Sequence, residues 1–135
     1  MTILAFFFRM TEAEWSRMCA AANAEVCDIV ASLPAPLRAP AAALPVTLER
    51  TPSTAQIEDG IEPDTLGLFI GPEYADQEIT PFPVPPQIIL FVENLWDLAE
   101  NDEEWFRKEI RTTFLHELGH YLGLDEDDLY DRGLE

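Results

Sequence analysis

The stretch "TFLHELGHYLGLDEDDLYDRGLE", residues 113–135, holds both histidines of the 135-residue chain, and its reading decides the rest. His116 and His120 stand at i and i+4 with Glu117 beside the first. On a helix that spacing puts two imidazoles on one face, one turn apart. Upstream, Trp105, Phe106, Ile110, Phe114, Leu118 and Tyr121 form an apolar stripe at helical spacing. Asn101 with Glu104 has the spacing of a capping box, with Asp102 and Glu103 in the first turn. The predicted helix therefore starts near Asn101, runs to about Leu122 and ends at Gly123. Asp125 with Asp128 then reads as the start of a short last helix that ends near Arg132.

Two imidazole nitrogens one turn apart can both reach a single Zn²⁺ at about 2.0–2.1 Å. Glu117 is rotated roughly 100° from His116, so it can stand beside the metal without binding it. From there its carboxylate can take a proton from metal-bound water and pass it to a leaving amine. Two His and a Glu base in this order form the metalloprotease motif. A catalytic zinc site needs a third protein ligand and a position for water. No further histidine exists, and Cys19 and Cys27 fall on another predicted helix, so the third ligand is expected to be a carboxylate. Gly123 turns the chain, and the pattern His116, Glu117, His120, Gly123 has metzincin spacing, which points three residues on to Glu126. Asp125 and Asp128 are rivals, with Asp125 also suited to capping the last helix. No methionine follows the motif, so a metzincin Met-turn is absent. Tyr121 and Tyr130 each carry a hydroxyl that could face an oxyanion, although both also suit packing.

Working back toward the start, residues 87–94 (QIILFVEN) are the strongest strand signal, followed by a short helical segment at LWDLAE. Residues 46–50 (VTLER) and 66–71 (LGLFIG) read as two further strands. The proline-rich stretch between Gly71 and Gln87 and the segment TPSTAQIEDGIEPDT read as loops. Thr11 with Glu14 is a capping box that opens an amphipathic helix from Glu12 to about Ser32. Residues 34–45, with four prolines, leave room for one short helical turn between Pro36 and Leu44. The apolar residues 3–8 suit a buried strand or packed arm; they lack the basic start and cleavage site of a signal peptide and are too short to span a bilayer. The expected fold class is α+β: a small mixed sheet packed against an N-terminal helix and a C-terminal metal-site helix, all in a single domain over 1–135.

Eight Lys and Arg against 26 Asp and Glu give a formal charge of −18. That balance excludes phosphate-backbone binding to nucleic acid and disfavours an anionic membrane surface. It favours solubility and an attraction for cations. Eight residues along one helix span roughly 12 Å, too far for Cys19 and Cys27 to bridge. Free, buried thiols suit a reducing cytoplasm.

The sequence resembles the small bacterial zincin-like metallopeptidases, or minimal zincins. The likeness runs through a leading amphipathic helix, a proline-rich segment, VTLER, LGLFIG, an IILFVENL strand and TFLHELGHYLGLDEDDL, of which the last is the specific part. The resemblance implies a compact zincin fold, one Zn²⁺ on His116 and His120, and Glu117 as base. In that family a carboxylate, often Asp, stands at the position of Glu126. The expected function is zinc-dependent hydrolysis of a peptide bond by a monomer or weak oligomer acting on a peptide or protein. A substrate strand would pair with a sheet edge beside the site helix. Residues 88–92 are the candidate edge, with a buried central strand as the competing reading. The alternative function is a zincin-shaped, non-catalytic binding or regulatory protein whose metal stabilises a small core.

Overall fold

The computed structural model describes residues 10–74 and 85–124. Its elements, in chain order, are α1 (Glu12–Ser32), α2 (Ala35–Ala43), β1 (Val46–Glu49), α3 (Thr54–Glu58), β2 (Gly67–Ile70), β3 (Gln87–Phe91), α4 (Val92–Leu98) and α5 (Glu103–Leu122). The three strands form one sheet in the order β1-β3-β2, with β1 parallel and β2 antiparallel to β3. This is the expected α+β arrangement, a small mixed sheet with α1 and α5 packed together beside it.

The central strand explains its own sequence. Ile88, Ile89, Leu90 and Phe91 are all buried because both flanks are paired and both faces covered. The candidate substrate edge at residues 88–92 is therefore corrected: β3 is the middle strand, and among the described residues β2 is the edge beside α5. The strand is also shorter than expected, since Val92 begins α4.

α1 begins as its sequence requires. Thr11 Oγ1 accepts from the Glu14 N–H at 3.1 Å, and the Glu14 carboxylate accepts from the Thr11 N–H at 3.0 Å. Those bonds, the backbone one foremost, hold the Glu14 carboxyl below its usual range. α1 buries Met18, Ala21, Ala22, Val26 and Ile29. They join Phe106, Ile110, Phe114 and Leu118 of α5 and Leu95 and Trp96 of α4 in one core. α2 is a full nine-residue helix, longer than the expected turn. Pro36 sits in its first turn, where no N–H is needed, and Pro40 is accommodated inside. α3 falls in a segment read as loop; Ser53 and Gln56 cap it reciprocally at 3.1 and 2.8 Å.

Two polar nodes fix the connections. Arg50, just past β1, donates from Nη1 to the Glu93 carboxylate at 2.6 Å and to the Met10 carbonyl at 3.0 Å. Its Nη2 meets Glu12 at 2.7 Å, and its guanidinium lies 4.8 Å from the Trp15 ring centre. Glu93 is 0% exposed, so this cation offsets a charge held away from water. Buried Asn94 donates to the carbonyls of Pro63 and Thr65 at 2.8 and 2.9 Å, which fixes the chain entering β2. At the other end of β2, Gly71 has φ +109°, and a Cβ there would lie 2.6 Å from Pro86 Cα. The chain leaves the sheet at Gly71 and rejoins it beside Pro86, next to the Ile70–Gln87 pair.

The thiols are free as expected, but only Cys19 is half-buried; Cys27 is exposed, against the expectation of two buried thiols. Burial pushes the Cys19 thiol up. Among the described residues no helix is long and apolar enough to cross a membrane. The apolar residues 3–8, Tyr130 and the expected last helix lie outside the described residues.

Candidate metal centre

α5 positions the histidines. Its N-cap is Asp102, whose side chain accepts from the Trp105 N–H at 2.9 Å, one residue later than the Asn101 cap expected from spacing. Glu100 and Asn101 have φ of 53° and 61°, so the turn before the helix is left-handed through both and the cap passes to Asp102. The helix ends at Gly123, with φ +71°. Leu124 N–H bonds Gly119 O at 2.8 Å and Gly123 N–H bonds His120 O at 3.3 Å, the two bonds of a Schellman ending. The expected stop at Gly123 is present, three residues after the second histidine.

Burial of Phe114, Leu115, Leu118 and Tyr121 turns the opposite side of α5 outward, and His116 and His120 are both exposed. Their Nε2 atoms lie 3.2 Å apart and their rings cross at 73°. Two nitrogens bound to one tetrahedral ion at 2.0–2.1 Å stand roughly 3.3 Å apart. The pair thus fits two corners of a zinc site as it stands. Among the described residues no third His, Cys, Asp or Glu joins them in a metal-sized group. Glu126, Asp125 and Asp128, the three carboxylates considered for the third position, lie outside the described residues.

Beside His116 opens a groove of about 370 Å³. Glu109, Thr112, Thr113, His116 and Glu117 line it from α5, and Leu66 and Gly67 from the start of β2. Half-buried Glu117 is in the groove wall next to His116. Gly67 sets the groove's width: a Cβ there would stand 2.6 Å from Thr113 Cγ2, so only glycine lets the edge strand come this close to the helix. Tyr121 points its ring elsewhere. It is 3% exposed and packs at 5.6 Å on Phe69 and 5.8 Å on Tyr74, which makes it a packing residue. The contact with Tyr74 also draws the chain after β2 toward the end of α5, where the Glu73 carboxylate lies beside Gly123.

Glu109, Thr112 and Thr113 were not among the site residues read from sequence. The signal was there: Glu109 is seven residues before His116, two turns back on the same helix face. Only the strand's position shows that this face becomes a groove.

A search of the curated proteins gives no match to the chain. A family model does match, that of the zincin-like metallopeptidases, over residues 41–134, a span that contains the whole sheet, α5 and both histidines. The chain belongs to the zincin-like metallopeptidase family.

Proposed function

We propose that this protein is a zinc-dependent peptidase, with His116 and His120 as two metal ligands, a carboxylate after Gly123 (Glu126 first) as the third, and Glu117 as general base. The observation that carries this reading is the 3.2 Å Nε2–Nε2 separation on an exposed helix face that borders a groove. A bound zinc ion supplies a Lewis acid that polarises a carbonyl and makes water acidic enough to lose a proton near neutral pH. Glu117, in the groove wall, receives that proton and returns it to the departing amine, as an unligated carboxylate can. β2 supports the substrate. Its outer side pairs with no described strand, so an extended peptide can add to it and lie along the groove.

The structural-metal alternative is less well supported. The core of α1, β3, α4 and α5 contains neither imidazole, and both histidines are exposed rather than tied into packing. The test uses Glu117→Gln beside His120→Ala. The Gln variant should keep zinc while peptide hydrolysis falls at least ~10²-fold, the scale of a lost general base. His120→Ala should lose both. Metal loss in Glu117→Gln would make that residue a ligand and end this mechanism; undiminished hydrolysis would remove it as the base.

A further inference from the structure

The groove has a polarity that the metal site does not require. Among the described residues two carboxylates line it, Glu109 and Glu117, and no Lys or Arg does. The cations of α5 are all drawn to other sides of the helix. Arg107 pairs with Glu25 and Glu103, each at 3.4 Å. Arg111 meets Asp28 at 3.2 Å, and Lys108 meets Glu104 at 3.7 Å. Among the described residues the groove face therefore carries carboxylates and no basic side chain, in a chain of net charge −18.

Glu117 is committed to proton transfer in the reading above; Glu109 is not. It lies seven residues from His116 on one helix face, roughly 10 Å by helix rise. Thr112 and Thr113 fill the wall between them with short side chains, so the groove stays open along that line. Trp105 Nε1–H donates to Glu109 Oε1 at 3.2 Å. This neutral donor leaves the carboxylate its charge and acceptor capacity for more bonds.

Resting on the peptidase reading, we propose that Glu109 is the specificity carboxylate of this groove, and that the groove takes a basic side chain, Lys or Arg, of a peptide paired along β2. A backbone held at the β2 edge would lie across the groove from the α5 wall that carries Glu109. Lys and Arg have the stem to cross it and the charge to be favoured on the far side. An Asp or Glu in the same place would face both Glu109 and Glu117, and a short apolar residue would leave Glu109 uncovered.

The test measures binding and cleavage separately. The full chain is labelled with ¹⁵N, and the Trp105 indole N–H resonance is assigned by its loss in Trp105→Phe. Three five-residue peptides identical except for a central Lys, norleucine or Glu are titrated in. The Lys peptide should bind about fivefold more tightly than the norleucine peptide, an upper value for a solvent-accessible ion pair, and should move the Trp105 indole signal. Glu109→Gln should erase that preference, while Glu58→Gln, an exposed charge on α3, should keep it. Equal affinities, absence of binding by all three, or a preference that survives Glu109→Gln would each overturn the subsite. The same peptides are then offered to the zinc-loaded chain. Selective binding without cleavage would keep the basic subsite and remove the peptidase reading. Cleavage without a Glu109-dependent Lys preference would do the reverse.

Discussion

His116 and His120 hold their Nε2 atoms 3.2 Å apart across one turn of α5. The helix brings the two side chains to one face, and at this separation the nitrogens need little rearrangement to accept a metal. One Zn²⁺ per chain is expected. Removing either nitrogen, in His116→Ala or His120→Ala, should weaken zinc binding by more than about 100-fold, beyond the usual cost of losing an outer-shell partner. Competition with a chromogenic chelator measures this, and unchanged affinity in either variant would remove that residue from the ligand set.

The turn at Gly123 makes the next prediction. Its left-handed backbone ends α5, and the His116, Glu117, His120, Gly123 spacing makes the carboxylate at Glu126 the first choice for the third ligand. Glu126→Ala should lower zinc affinity far more than Asp131→Ala, although each removes one charge. Equal losses at matched salt would reduce Glu126 to general electrostatics. A large loss confined to Asp125→Ala or Asp128→Ala would transfer the role.

The contact of Gly67 with Thr113 can be tested as a pair. Gly67→Ala places a methyl 2.6 Å from Thr113 Cγ2 and should cost about 1–3 kcal/mol, the range for overpacking. Thr113→Ser removes that Cγ2 and keeps the hydroxyl. In the double variant most of the cost should disappear, giving a coupling of about 1 kcal/mol or more in urea unfolding. Additive losses would mean that the strand, not the threonine side chain, is what the alanine strikes.

Arg50 carries the charge balance beside β1, on the other edge of the sheet from Gly67. Arg50→Ala leaves Glu93 buried without its cation and should cost about 3 kcal/mol or more. Replacing both, as Arg50→Met with Glu93→Leu, should be much milder, because an apolar pair has no ion to desolvate. A double variant as unstable as Arg50→Ala would show that the remaining bonds of Arg50, to the Met10 carbonyl and Glu12, are what matter.

What could be read from sequence follows the range of the forces involved. The Thr11–Glu14 box and the Gly123 stop are local, and both ends they mark are found where expected. The Ser53–Gln56 box is equally local and was readable, but the loop-like composition around it obscured α3. The Asn101 box failed by one residue because Asn101 and Asp102 are both favoured caps, and backbone angles decide between them. Strand order depends on contacts far apart in sequence. A run such as IILF says that a strand is buried, not which partner lies on each side, so edge and centre stayed as two readings until the strand order decided for the centre. The histidine pair was legible because one helix carries both ligands. The groove was not, because Gly67 and Thr113 are 46 residues apart and meet only in the folded chain.

The pinch where Gly71 meets Pro86 gives any chain placed between them a common point of departure and return. Its two ends are tied together by the sheet whatever lies between them. Doubling the length of such a loop costs only about 0.6 kcal/mol in closure entropy. Because Tyr74 packs on Tyr121, chain added at this point would set out from the end of α5, and the sheet would keep its register at the Ile70–Gln87 pair.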